Sequence, residues 1–353
     1  MTTSAQRMRA WHGPAVLSFG FRPFFLMAGV WAAAAMAIWI AMLSGWAGPP
    51  SGFDPVAWHA HEFLFGYLGA VMAGFLMTAV PNWTGRLPIT GWPLAGLAGL
   101  WIAGRVAVAA SAHVPPLGAA AVDLGFLVVL AAVLAREIVA GRNWRNLPVL
   151  GLLGLLALGN GLFHLEAATG GVPAEGVGLR LALGAAVMLI ALIGGRIVPS
   201  FTRNWLAQRG EARLPVPPMQ RFDRLALVVL GATLVLWVAV PDRGPTGVAL
   251  LFAGIAHLWR LGRWRGALTW AEPLVTVLHA GYLFVPLGAL GLGAEILSPG
   301  TFGMAAAQHL WMAGGIGLMT MAVMTRAALG HSGRPLRATG PISTLYVLLV
   351  VSV

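Results

Sequence analysis

The chain has 353 residues, 58% of them hydrophobic and only 9% charged, against about 25% charged in a soluble globular chain. It contains no Cys. That excludes disulfides, iron–sulfur clusters, thiolate copper sites and covalently attached haem, and it leaves His, Met, Tyr and carboxylates as metal ligands. The net charge of +11 is carried by arginine alone on the basic side, and the arginines fall between apolar runs, so they read as membrane topology signals and not as a nucleic-acid surface.

Apolar runs follow one another at about 23–47, 58–80, 91–112, 116–139, 147–168, 177–199, 223–240, 244–260, 269–295, 302–325 and 340–353. Most approach the roughly 20 residues needed to cross a bilayer. The fold class expected is therefore all-α: a single polytopic transmembrane bundle over residues 1–353, with eleven spans visible. The first run is too long for a signal-peptide core and reads as a retained helix. The last is short for a span, so the natural protein is expected to continue beyond Val353. "GPPSG" and "PVPPM" are loops.

If the helices alternate, one set of loops collects Arg7, Arg9, Arg22, Arg86, Arg136, Arg142, Arg145, Arg196, Arg203, Arg209, Arg213, Arg221, Arg224, Arg260, Arg263, Arg265, Arg326, Arg334 and Arg337, and the opposite loops hold only Arg243. The N-terminus is then cytoplasmic. Orientation converts position into depth, at about 1.5 Å per residue. His59, His61 and Glu62 of "WHAHEFLFG" begin the second run near the outer face, and His164 and Glu166 end the fifth at the same level. His309 lies a few turns below that face in the tenth, His279 near mid-membrane in the ninth, and His257 toward the inner end of the eighth. His12, His113 and His331 fall in loops or termini.

Intramembrane histidines at a shared depth point to a metal or cofactor site; taken singly, each could be an interhelical hydrogen-bonding group. Residues i and i+2 lie about 200° apart on a helix, so His59 and His61 should face different partners, as two centres or as one centre plus a hydrogen bond. Shared depth groups His59 with His164 as candidate metal ligands, with His279 as a third. Glu62 can orient an imidazole or answer the helix dipole. Arg105 and Arg180 sit in the outer half, where each could clamp a haem propionate or pair with Asp123. Tyr282, three residues after His279 on one face, could supply a proton near a metal-bound His or make an interhelical bond; Tyr282 and Glu62 are the catalytic candidates. The methionines of the tenth run, Met304, Met312, Met319, Met321 and Met324, suit either packing or a copper relay.

"SFGFRPFFLMAG" (18–29), "WHAHEFLFG" with "AGFLMTAVPNWTGRLP" (58–88), "GNGLFH" (159–164), "GGRIVPSFTRNWL" (194–206), "LHAGY" (278–282) and "MTRAALGHSGR" (324–334) resemble the NnrS family of bacterial membrane proteins. The resemblance implies twelve helices, bound haem and copper, and a role in the response to nitric oxide and nitrosative stress at the bacterial inner membrane. Phe63 stands where the usual "HEMLFG" motif has Met. The second run also resembles the helix of the haem–copper oxidase catalytic subunit that carries a haem-binding His. That likeness implies His61 and His309 as axial ligands of a haem b, although the paired His of the oxidase copper helix is absent. The expected activity is nitric oxide consumption or reduction with an unidentified electron donor. The rivals are a non-enzymatic haem sensor or reservoir and a transporter of copper or haem. Nitric oxide and membrane lipid are the partners implied, with no nucleic acid.

Overall fold

A computed structural model describes residues 11–353; Arg7 and Arg9 of the topology pattern lie outside them. The described residues contain no strand and are 77% helix. Helices stand at every predicted run: α1 (Phe21–Leu43), α2 (Pro55–Thr84), α3 (Trp92–Ala109), α4 (Pro116–Ala140), α5 (Leu147–Ala168), α6 (Val177–Gln208), α7 (Arg221–Ala239), α8 (Gly244–Gly262), α9 (Pro273–Leu297), α10 (Met304–His331) and α11 (Gly340–Val351). Nine of the described helices are long and apolar enough to cross a membrane. The other two are α8, where His257 and Arg260 dilute the apolar run, and the short α11. Helix α6 runs past Pro199, which denies the carbonyl four residues back its usual partner. Nearby hydroxyls supply bonds of their own: Ser200 Oγ donates to the Arg196 carbonyl at 2.6 Å and Thr202 Oγ1 to that of Val198 at 2.9 Å.

The chain divides into two compact units, one ending at Ala182 and the other Leu183–Val353. In the first, α2 is the inner helix: 83% of its most apolar stretch is buried, against 17% for α1. It packs on α1 and α4, and α4 packs in turn on α3 and α5. Its start is fixed locally. The Asp54 carboxylate accepts from the amides of Val56 (2.9 Å) and Ala57 (3.0 Å) with Pro55 at the first helical position, satisfying donors that a helix start leaves open. Its far end stops at Gly85, whose φ of 69° needs no side chain, and Arg86 pairs with Glu137 at the end of α4. In the second unit α9 lies along α8 and against α10.

Two helices leave the α winding. In α2 the segment Glu62–Tyr67 is a π turn, and in α10 Leu310–Leu318 is π-helical. Each begins at the residue after a histidine, His61 or His309. Such insertions are frequent at functional sites.

Candidate metal centre

His59 and His61 leave α2 in different directions, as their spacing requires. The His59 ring stacks on Trp39 of α1, with centroids 4.5 Å apart. His61 turns into the unit and is fully buried. The π turn that follows brings Glu62 beside the ring of its own neighbour, and His61 Nδ1 donates to Glu62 Oε1 at 3.0 Å. The same turn directs the Gly66 carbonyl sideways, where Trp101 Nε1 donates to it at 3.0 Å.

Around this point four helices contribute one buried cluster. Arg105 of α3 donates through Nη1 to both Glu62 oxygens at 2.7 Å and through Nη2 to Asp123 Oδ1 on α4. Two glycines admit that guanidinium and carboxylate. A Cβ at Gly66 would stand 2.7 Å from Arg105 Nη1, and one at Gly104 would stand 3.0 Å from Asp123 Oδ1. From α5 come Asn160 and His164, one turn apart on the same face. Asn160 Nδ2 donates to Asp123 Oδ2 at 2.8 Å, which aims Asn160 Oδ1 at His61 Nε2, 3.0 Å away. Asp123 Oδ2 also lies 3.1 Å from Nε2 of both His61 and His164. Phe53, before α2, covers the two imidazoles at 5.0 and 5.2 Å, and Phe65 and Phe163 complete an apolar wall around His61.

The chemistry of this cluster follows from its donors and charges. Both ring nitrogens of His61 face acceptors only: the Glu62 carboxylate on one side, Asn160 Oδ1 and Asp123 Oδ2 on the other. Two carboxylates against one guanidinium leave the group one positive charge short when both imidazoles are neutral. A buried charge without compensation is costly, so the cluster calls for a proton or a metal cation. Ligand atoms from His61, Asp123 and His164 all lie within 4.8 Å of one another. Atoms bound tetrahedrally at about 2.0–2.1 Å stand roughly 3.3 Å apart, close to the 3.1 Å separations from Asp123 Oδ2.

A model of the family described as NnrS protein matches residues 15–353. The chain belongs to the NnrS family. No curated protein and no solved structure matches it. The matched stretch contains every residue of the cluster, and family membership together with the buried His–Asp–His group suggests metal or haem binding in this NnrS chain.

The remaining predicted site residues have other partners, each within its own unit. Arg180, at the start of α6, is half-buried and donates to the Glu175 carbonyl. In the second unit, His309 is exposed, and its Nδ1 donates to the Ala305 carbonyl at 2.7 Å. His279 is buried and donates through Nε2 to Thr202 Oγ1 at 2.7 Å, because that hydroxyl gives its own hydrogen to Val198. Tyr282 does not meet His279. Three residues of helix turn about 300°, and the remaining angle sends the phenol toward α8. Its oxygen accepts from Arg260 Nη1 at 2.8 Å and its hydrogen goes to His257 Nδ1 at 2.8 Å, while His257 Nε2 donates to the Ala226 carbonyl at 3.1 Å. Arg260 is paired with Asp223 at 3.0 Å, so in this second buried group guanidinium and carboxylate offset each other.

Sequence reasoning read Asp123 only as an ion-pair partner for Arg105 or Arg180 and did not single out Asn160; the structure pairs it with Arg105. The available signals were an isolated carboxylate within an apolar run and an amide four residues before a histidine.

Proposed function

We propose that this NnrS protein is a multi-pass metalloprotein of the bacterial inner membrane that binds nitric oxide at a buried metal ion and serves nitrosative stress defence. The observation that carries the reading is the convergence of His61, Asp123 and His164 beside a guanidinium that does not fully offset the carboxylates. Imidazole suits copper, the metal the family resemblance implies, and the three donors would hold it. A bound metal of this kind supplies an open coordination position for a small diatomic ligand. The chain's own residues do the rest: Glu62 fixes the ring of His61, Asn160 and Arg105 orient Asp123, and the phenylalanine wall excludes water. Nitric oxide, small and uncharged, can approach through such a wall.

Haem b belongs to the same reading, bound without a covalent link because there is no Cys. Both ring nitrogens of His61 are engaged inside the cluster, which favours a bare ion over a haem iron at that residue. His309 suits an axial role better: with Nδ1–H on the Ala305 carbonyl, Nε2 is the basic nitrogen, the tautomer that ligating histidines ordinarily present. The arginine distribution supports a cytoplasmic N-terminus and a cluster toward the outer face.

The test is metal analysis with nitric oxide titration of purified wild-type protein and His164→Gln, followed by electronic and EPR spectra. The expected result is retained metal whose spectrum responds to nitric oxide, and loss of both in the variant. Wild-type protein that takes up no transition metal, or a response untouched by the substitution, overturns the reading. Turnover of nitric oxide with an added electron donor separates an enzyme from a sensor.

A further inference from the structure

In the first unit a slot of about 450 Å³ lies between α3 and α4, within the range of roughly 300–1,000 Å³ usual for small-ligand sites. Leu97 and Leu100 of α3 and Val129 and Val133 of α4 line it, with Met77 of α2, and at one end it reaches Arg136. Pro93 to Leu100 and Arg136 to Val129 each cover about 10 Å of helix. That is about two-thirds of the roughly 15 Å hydrocarbon depth of one leaflet. Gly96 keeps the slot clear, since a Cβ there would meet nothing within 4 Å. Val129 is 42% exposed, so the slot opens to the lipid.

The depth and charge of the Arg136 end select the occupant. Exposed Trp92 opens α3, and exposed Trp144 stands just before α5 at the same end; such indoles mark the headgroup level. Arg86 and Arg136 both pair with Glu137. One carboxylate offsets one of the two guanidiniums, and one positive charge remains. Arg86 alone can hold Glu137, which leaves Arg136 available to an anion. An alkyl chain suits the apolar walls, and a phosphate suits a guanidinium. Basic pockets between transmembrane helices bind acidic lipid headgroups in this way. A fatty acid would have to be delivered, whereas a phospholipid of the surrounding leaflet already carries its phosphate at the level of Arg136.

We propose that the slot holds one anionic phospholipid of the leaflet at the arginine-rich end, with an acyl chain between α3 and α4 and the phosphate on Arg136.

The experiment offers the full-length protein, in mild detergent, phosphatidylglycerol or phosphatidylethanolamine with the same acyl chains, and counts retained lipids by native mass spectrometry. One phosphatidylglycerol should be held about fivefold more tightly, the worth of about one basic side chain, and Arg136→Gln should bring the two lipids within about twofold. Gly96→Leu should lose the retained lipid, because the new side chain fills the slot. Gly99→Leu is the control: its Cβ also meets nothing within 4 Å, it lies outside the slot lining, and it should keep the lipid. Equal retention of the two lipids by the wild-type protein, or a preference that survives Arg136→Gln, overturns the proposal. Equal loss in the two leucine variants does so too, since it would mean unselective lipid around the helices. Oleate that displaces phosphatidylglycerol at equal concentration overturns the choice of a phospholipid.

Discussion

Replacing Arg105 with Met tests whether the buried cluster works as a charge unit. The guanidinium is 5% exposed, and Glu62 and Asp123 are 1% and 2% exposed, so solvent does little to screen them. Arg105 Nη1 makes a bifurcated contact with both Glu62 oxygens at 2.7 Å, and Nη2 a further one with Asp123. Removing it takes the cluster from one to two uncompensated negative charges. Breaking a buried pair in this way costs about 3–5 kcal/mol, a factor of roughly 10²–10⁴ in the folding constant. The loss is not doubled, since both pairs share one residue. Adding Glu62→Gln to Arg105→Met restores the original charge, and a coupling of about 2–3 kcal/mol is expected between the two sites. Reversible unfolding in mixed micelles, followed by tryptophan fluorescence, measures all three variants. Additivity of the single effects to within about 0.5 kcal/mol would refute the claim that Arg105 and Glu62 act as one electrostatic unit.

Other expectations follow from the same geometry. Gly66→Ala sets a Cβ 2.7 Å from the clamped Arg105 Nη1 and 2.9 Å from Trp31 Nε1; it should destabilise by about 1–3 kcal/mol and weaken metal retention. Gly99→Ala on α3 meets nothing within 4 Å and should be neutral or stabilising by up to about 1 kcal/mol, so thermal melts of the pair separate crowding from helix propensity. Tyr282→Phe strips Arg260 and His257 of a shared partner and should cost about 1–3 kcal/mol, while leaving metal content by elemental analysis unchanged. Acid–acetone should extract any haem completely, and His309→Ala should lower the haem recovered; haem that stays with the polypeptide, or is recovered equally from the variant, counts against the assignment.

Much of the fold could be read along the sequence, because a membrane span is a length of apolar residues and length survives without knowledge of packing. One helix end departed from expectation: α6 continues past Pro199 to Gln208, beyond the apolar run that ends at 199. The site was legible only in part. Helical angle separated His59 from His61, and depth brought His61, Glu62 and His164 to one level. Neither device ranks neighbours across helices. Asp123 therefore read as a salt-bridge partner when its Oδ2 also lies 3.1 Å from both imidazoles, and Tyr282 was set beside His279 on its own helix when its bonds run to α8. The π turn after His61 left no mark in composition or periodicity, since one inserted residue is invisible in a uniformly apolar stretch.

That turn also makes the buried His–Asp–His cluster and the rest of its helix a single mechanical variable. A π turn carries one residue more than the α turn it replaces, so it offsets the angular phase of the helix by roughly 100°. His61 stands on one side of the offset and Leu68–Thr84 on the other. The indole of Trp101 on the Gly66 carbonyl acts as a latch on the inserted residue, as Trp311, itself within a π segment, is tied to the Val285 carbonyl at 2.9 Å. Without the Trp101 latch, regular winding could return only by rotating one end of α2 against the other. His61 would then swing away from Asp123 and His164, or the buried face of Leu68–Thr84 would turn out of its packing, so ligand geometry cannot shift here without the whole span registering it.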